Sequence, residues 1–247
     1  MLSALSHFLT IAFLLVGSVS LYSQSVTGVK NKGYYRSHDS FTSYLHTRGV
    51  GIQYQHAWRK TGFSNRILNI ELLSLKHPKE HKVNQGVQNS RGYFYGKINS
   101  VGLLRASYGW QKVLFDKEIK RGVRVSYLAL FGPTIGLVKP VYVDYQASGD
   151  VRRTEIVQYS LALDDQGLVE GRAPVLYKLG STRPYPGGHA KASLNFEYSG
   201  DDSFIRAIET GATLDAFLRR IPIMENTYND QFYLTVYVGF QFGKRHM

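Results

Sequence analysis

QFYLTVYVGFQFG, residues 231–243, alternates almost without fault. Phe232, Leu234, Val236, Val238, Phe240 and Phe242 point to one side, while Tyr233, Thr235, Tyr237, Gly239 and Gln241 point to the other. Side chains along a strand alternate faces with a period of two, so this segment has one wholly apolar face and one polar or small face. It follows an apolar N-terminal export segment. Together the two features read as the closing strand of an outer-membrane β-barrel, in which the lipid face must be apolar and the lumen face can be wet.

The export segment centres on Phe8–Val19 (FLTIAFLLVGSV), an apolar run too short to cross a bilayer as a helix. Leu21-Tyr22-Ser23-Gln24 follow and offer cleavage after Ser23. Residues 1–23 are read as a secretory signal peptide, although the n-region holds His7 and no Lys or Arg. Residues 24–37 are then a periplasmic lead-in and 38–247 the barrel, a single domain in a chain of 247 residues. The chain has no cysteine, which excludes disulfides and attachment as a lipoprotein. All of the net charge of +12 falls beyond residue 23. A basic surface often signals nucleic acid, but an exported chain with dispersed charges is expected to meet none. Anionic lipid headgroups and lipopolysaccharide phosphates are the expected neighbours. The plainer reading of the same charge is solvated loops. A mean hydropathy of −0.22 is compatible with a barrel, since only alternate strand residues face lipid. The 18 Tyr and 13 Phe suit interfacial girdles, and would also suit a β-sandwich.

Further alternating segments precede the last one. Gly49–Arg59 places Val50, Ile52, Tyr54, His56 and Trp58 together, and Ile67–Lys76 sets Leu68, Ile70 and Leu72 against Asn69 and Glu71. Tyr95–Trp110 sets Lys97, Asn99, Arg105 and Ser107 against Leu104, Ala106, Tyr108 and Trp110. From Val123 to Tyr145 the phase runs unbroken through Gly132-Pro133, although proline lacks a ladder donor. His189–Tyr198 and Phe204–Leu218 complete seven strands, joined by a tight turn at Ser199-Gly200-Asp201-Asp202. A weak strand at Glu155–Leu161 lies inside 146–186, the longest poorly patterned stretch. Single-chain bacterial barrels have an even strand number. The eighth strand is placed near Phe41–Thr47, because keeping Val123–Tyr145 whole makes 146–186 and 77–92 long extracellular loops and the remaining turns short and periplasmic. The expected architecture is therefore all-β: an antiparallel eight-stranded transmembrane β-barrel with long extracellular loops. A periplasmic β-sandwich is the rival fold.

Several segments carry a family likeness: His77-Pro78-Lys79-Glu80, Tyr95-Gly96-Lys97, Leu104–Gly109, Gly132-Pro133 with Gly136-Leu137 and Lys139-Pro140, and the close Phe232–Arg245. In this order they resemble small outer-membrane β-barrel proteins of the Bacteroidota, over about residues 48–247. The resemblance implies fold and location. It implies no established activity; separately, no cofactor is expected.

With the polar faces turned inward, Glu71, Glu197, Glu209 and Asp215 meet Lys97, Arg105, Arg124 and Lys191 in the lumen. An eight-stranded barrel has an interior filled by side chains, and buried charges survive there only when paired. The expectation is a salt-bridged plug, with a gated or solute-binding lumen as the alternative. Acyl-transfer or hydrolytic chemistry needs a nucleophile beside a base. His189 with Ser193 and Asn195 is the one arrangement to weigh, and the spacing is poor; His56 falls on the lipid face. His77, Glu80 and His81 crowd one loop and His38 adjoins Asp39, but zinc wants three or four convergent ligands. The apolar positions Val236, Val238, Phe240 and Phe242 also fit a C-terminal signal for the barrel-assembly machinery. The sequence therefore points to a non-enzymatic barrel, a structural or accessory subunit of an outer-membrane assembly or secretion complex, with loops that touch a partner or lipopolysaccharide. A narrow channel and a lipid-modifying barrel enzyme are the alternatives.

Overall fold

The computed structural model describes residues 35–83, 92–117, 122–146, 154–165, 169–174, 177–200 and 203–246. The expected signal peptide, residues 24–34 of the lead-in, and Asp201 and Asp202 of the turn lie outside these. Eight strands close into an antiparallel barrel: β1 (Ser37–His46), β2 (Gly49–Thr61), β3 (Ser64–Leu75), β6 (Asn99–Phe115), β7 (Arg124–Pro140), β11 (Arg183–Glu197), β12 (Phe204–Phe217) and β13 (Phe232–His246). Every strand pairs with its chain neighbours in the barrel, and β1 closes the ring on β13, with Ser37 opposite His246 and His46 opposite Tyr237. The eighth strand is thus the N-terminal one. The start of β1 and the end of β13 lie at one rim, here the termini end; the longer connections lie at the other, the loop end.

The barrel is inside out. On β13 the six apolar side chains from Phe232 to Phe242 are 49–64% exposed, while Tyr233, Thr235, Tyr237 and Gln241 are at most 4% exposed. The same polarity runs round the ring, with Ile52, Leu68, Leu104, Phe131, Leu194 and Leu214 outward and Gln53, Asn69, Arg105, Thr134, Lys191 and Asp215 inward. Such an outer face would be costly in water and is stable against hydrocarbon. Ten residue intervals separate Phe232 from Phe242, or roughly 34 Å along a strand rising ~3.4 Å per residue. At a tilt of about 40° that gives an apolar belt near 26 Å tall, matching the ~25 Å band of outer-membrane barrels. Among the described residues no helix is long and apolar enough to cross a membrane.

β7 runs through Pro133 without a change of register: Arg105 faces Thr134 and Tyr108 faces Phe131 across it. Proline's missing N–H interrupts the ladder to β6 and does not end the strand. Two inward glycines let β6 and β7 approach closely here. A Cβ on Gly132 would lie 2.0 Å from the Ala106 carbonyl oxygen, and one on Gly109 would lie 2.0 Å from that of Ala129.

The third sequence segment begins later than its alternation suggests. Gly96 has φ +70, a conformation that favours glycine, and this turn keeps Tyr95 and Lys97 out of the barrel wall. The stretch 146–186 likewise departs from a plain loop. β8 (Tyr142–Gln146), β9 (Thr154–Gln158) and β10 (Val169–Arg172) form a small sheet, the weak strand at 155–161 being part of it and not of the barrel. The short helix α1 (Leu161–Asp165) and the pair β4 (Lys82–Val83) and β5 (Tyr93–Phe94) join it. Tyr93, Val141, Val143, Tyr159 and Val169 form a core of their own, packed by Val83, Ile98, Val157 and Leu163. This dome is tied down by backbone bonds: Ile98 N–H to Ile223 C=O (3.1 Å), Glu225 N–H to Gly96 C=O (2.8 Å) and Val141 N–H to Ile98 C=O (2.9 Å).

Candidate functional site

The lumen is the place where the fold brings charged chemistry together, and it is built in tiers. At the loop end its wall is apolar. Leu73, Leu75, Val101, Leu103, Val138, Phe217 and Tyr233 close around Ile221, Ile223 and Met224, which the β12–β13 connection supplies. Asn229 holds that connection in shape, its Oδ1 accepting from the backbone N–H groups of Ile223 (2.8 Å) and Met224 (3.1 Å). This apolar tier was not legible from the polar phase of the strands.

The middle tier contains five of the eight expected charges. Arg105 on β6 reaches Asp215 on β12 through Nε (2.9 Å) and Nη2, and Glu71 on β3 through Nη1 (3.0 Å). Lys191 on β11 donates to Glu71 (2.7 Å) and Gln53 (2.6 Å) and pairs with Glu209 (3.3 Å). Three carboxylates therefore face two cations, a net charge of −1 with all ionised. Neutral donors supply the balance: Tyr44 and Asn69 to Glu71 (3.0 and 2.8 Å), and Tyr237 and Ser193 to Glu209. The Lys191 ammonium also lies 4.5 Å from the Tyr237 ring centroid. These side chains come from β1, β2, β3, β6, β11, β12 and β13, so the network crosses the lumen and is held from nearly every side. Tyr44 and Gln53 complete it; both lie on the inward phase of their strands, but being uncharged they carry no sequence signal for the network.

The other three charges lie apart. At the termini end Glu197 pairs with Arg245 (2.7 Å), Lys117 (3.1 Å) and Arg124 (3.6 Å), and Arg124 also pairs with Asp116 (2.8 Å). Lys97 is not a lumen residue. It sits under the dome, paired with Glu80 at 2.6 Å. Burial pulls its ammonium below the ordinary lysine pKa, and the Glu80 carboxylate opposes that shift. The eight residues thus form three separate clusters, not one balanced set.

The catalytic arrangement weighed from sequence is not assembled. His189 Nδ1 lies 2.8 Å from Thr134 Oγ1, while the Ser193 hydroxyl is given to Glu209 at 3.1 Å. In the 77–81 loop, Glu80 accepts from the His77 backbone N–H (2.9 Å) and holds Lys97, and alternation sends His38 and Asp39 to opposite faces. Asp39 instead pairs on the outer face with His56 and His246. Among the described residues no three His, Asp or Glu side chains converge as metal ligands would. Val236, Val238, Phe240 and Phe242 all lie on the outer face of β13.

No protein-family model and no curated protein matches the sequence. Solved structures do show likeness. Ail, the attachment invasion locus protein of Yersinia pestis, is 9% identical with a TM-score of 0.41, covering 86% of this chain and 99% of its own. Neisserial surface protein A is 7% identical with a TM-score of 0.40, covering 85% and 96%. The N-terminal β-barrel domain of Pseudomonas aeruginosa OprF is 8% identical with a TM-score of 0.35, covering 86% and 99%.

Proposed function

We propose that this chain is a non-enzymatic outer-membrane barrel, exported by a cleaved signal peptide, whose dome is a contact platform for lipopolysaccharide or for another protein of an outer-membrane assembly. The observation that carries this reading is the pairing of a lumen filled in tiers with loops that own a hydrophobic core. A channel needs an open lumen, which this filled barrel does not offer; a platform needs a rigid base and a shaped surface. The dome end bears exposed Lys76, Lys79, Lys82, Lys178, Arg219 and Arg220, cations suited to the phosphates of lipopolysaccharide. The resemblance to small outer-membrane barrels of the Bacteroidota fits the same location. The apolar alternation that closes at Phe240 and Phe242 suits recognition by the barrel-assembly machinery during insertion.

The test combines conductance and loop removal. Purified protein in planar bilayers should pass no current. Replacing 141–182 with a short turn should leave a folded, heat-modifiable barrel that no longer binds lipopolysaccharide or retains companions from native membranes. Steady single-channel conductance, or unchanged binding without the dome, would overturn the proposal.

A further inference from the structure

The two tryptophans of the chain are brought to one place on the outer face near the termini end. In the strand register Arg66 on β3 stands directly between Trp58 on β2 and Trp110 on β6. Neighbouring strands lie ~4.8 Å apart, so the two indoles rise from backbones about 10 Å apart with one guanidinium between them. All three point away from the lumen, because their odd-numbered neighbour Ile67 and its partners Ala57 and Gly109 face inward. Tyr108 completes the group, its ring 6.1 Å from that of Trp58 and 5.9 Å from the Arg66 guanidinium. One rung nearer the rim, Lys112 is outward and exposed, opposite Ser64. Among the described residues no carboxylate pairs with Arg66 or Lys112. Asp39, the acid on the adjoining part of this face, is engaged by His56, His246 and the Tyr54 hydroxyl (2.9 Å).

A cation held at the edge of an apolar belt lies at the depth of the headgroups, where an anionic lipid can meet it for about 1 kcal/mol. Tryptophan and tyrosine prefer that same depth, where their rings touch both chains and headgroups. From this arrangement we infer that Arg66, framed by Trp58, Trp110 and Tyr108 and backed by Lys112, is a binding site for one net-anionic glycerophospholipid in the leaflet at the termini end. The guanidinium fork takes the phosphodiester in a bidentate contact, as its geometry favours. Lys112 adds charge on the headgroup side, and the rings pack the glycerol and upper acyl carbons. The inference rests on the barrel being embedded in a bilayer and is independent of what the dome binds.

Both tryptophans report on the site, so the test needs no label. The intact barrel is placed in phosphatidylcholine bilayers with a minor fraction of phosphatidylglycerol bearing brominated chains, and quenching of tryptophan emission is read against that fraction. A specific site gives quenching several-fold above the bulk fraction, and the same brominated chains on phosphatidylcholine do not. Arg66→Ala should lower the enrichment about five-fold, the factor that corresponds to ~1 kcal/mol per interfacial cation. Arg66→Lys should restore part of it, which separates headgroup binding from a folding defect, with heat-modifiable migration confirming the barrel in each variant. Exchanging chloride for inorganic phosphate at equal ionic strength should leave the quenching unchanged. Displacement by phosphate would reassign the site to a free anion, and quenching that tracks the bulk fraction, or is indifferent to Arg66→Ala, would remove the proposed site. Tryptophans unquenched by any brominated lipid would instead show that the barrel is not embedded.

Discussion

Arg105→Met tests the lumen network at its most exposed point of logic. The Arg105 side chain is 2% exposed and, among the described residues, is the one cation that reaches Asp215, through Nε and Nη2. Its loss affects the two acids unequally. Among the described residues, Glu71 keeps Lys191 (2.7 Å), Tyr44 (3.0 Å) and Asn69 (2.8 Å), whereas Asp215 keeps only a long contact with the Thr134 hydroxyl (3.4 Å). Removing one partner of a buried pair costs about 3–5 kcal/mol because the other charge is stranded. That is a drop of roughly a hundred- to several-thousand-fold in the folding equilibrium. Asp215→Asn should cost less, about 1–2 kcal/mol, since Arg105 still has Glu71 and the middle tier becomes neutral. The double variant should cost about 2–4 kcal/mol, less than the sum of the single effects by a coupling of about 2–3 kcal/mol in a double-mutant cycle. Urea unfolding in lipid vesicles, read by Trp58 and Trp110 emission and by heat-modifiable migration, measures all three. Arg105→Met within about 1 kcal/mol of the parent, or additive single effects, would refute the reasoning.

Val238→Arg places a charge near the middle of the β13 belt and should cost about 2–4 kcal/mol in the same assay, falling towards zero for Phe242→Arg at the rim. Gly132→Ala drives a methyl into the Ala106 carbonyl and should cost about 1–3 kcal/mol, whereas Gly102→Ala, whose Cβ would lie 3.7 Å from the Leu73 carbonyl, should be nearly silent in unfolding. Tyr159→Phe removes the hydroxyl that accepts the Gly96 N–H at 2.7 Å and should loosen the dome by about 0.5–1.5 kcal/mol, seen as faster proteolysis of 141–182 with barrel stability unchanged.

The barrel wall was legible because its physics is local. Alternation at Gly49–Arg59, Phe204–Leu218 and 231–243 set the faces, and the parity of strand number together with loop lengths carried the strand from Val123 through Pro133 and put the eighth strand at the N-terminus; the expected run to Tyr145 is corrected, since the wall strand ends at Pro140 and Tyr142–Gln146 pairs within the dome. The structure starts that strand at Ser37 and carries β13 on to His246, since the rim residues are less regular in polarity than those in the belt. The three parts that escaped notice depend on long-range geometry. Leu73, Leu103 and Ile223 form an apolar tier because one connection folds into the lumen, which no strand pattern records. Lys97 keeps the inward phase of its segment, yet Gly96 turns the chain before the strand begins. The dome draws its core from residues as far apart as Val83 and Val169, so each of its segments reads singly as weak loop. The inward charges were individually visible in the sequence, but which acid meets which base depends on height along the lumen. That is why Arg124 and Glu197 separate from Arg105, Lys191 and their acids.

The central claim is that the apolar side of these strands touches hydrocarbon while the polar side does not. The chain has no cysteine, so single cysteines can be introduced one at a time from residue 232 to 242 and labelled with a small fluorophore in bilayers containing brominated lipid. The expected result is strong quenching at 234, 236, 238 and 240 and weak quenching at 233, 235, 237 and 239, a period of two across the belt. Uniform quenching by an aqueous agent, or no alternation, would contradict it.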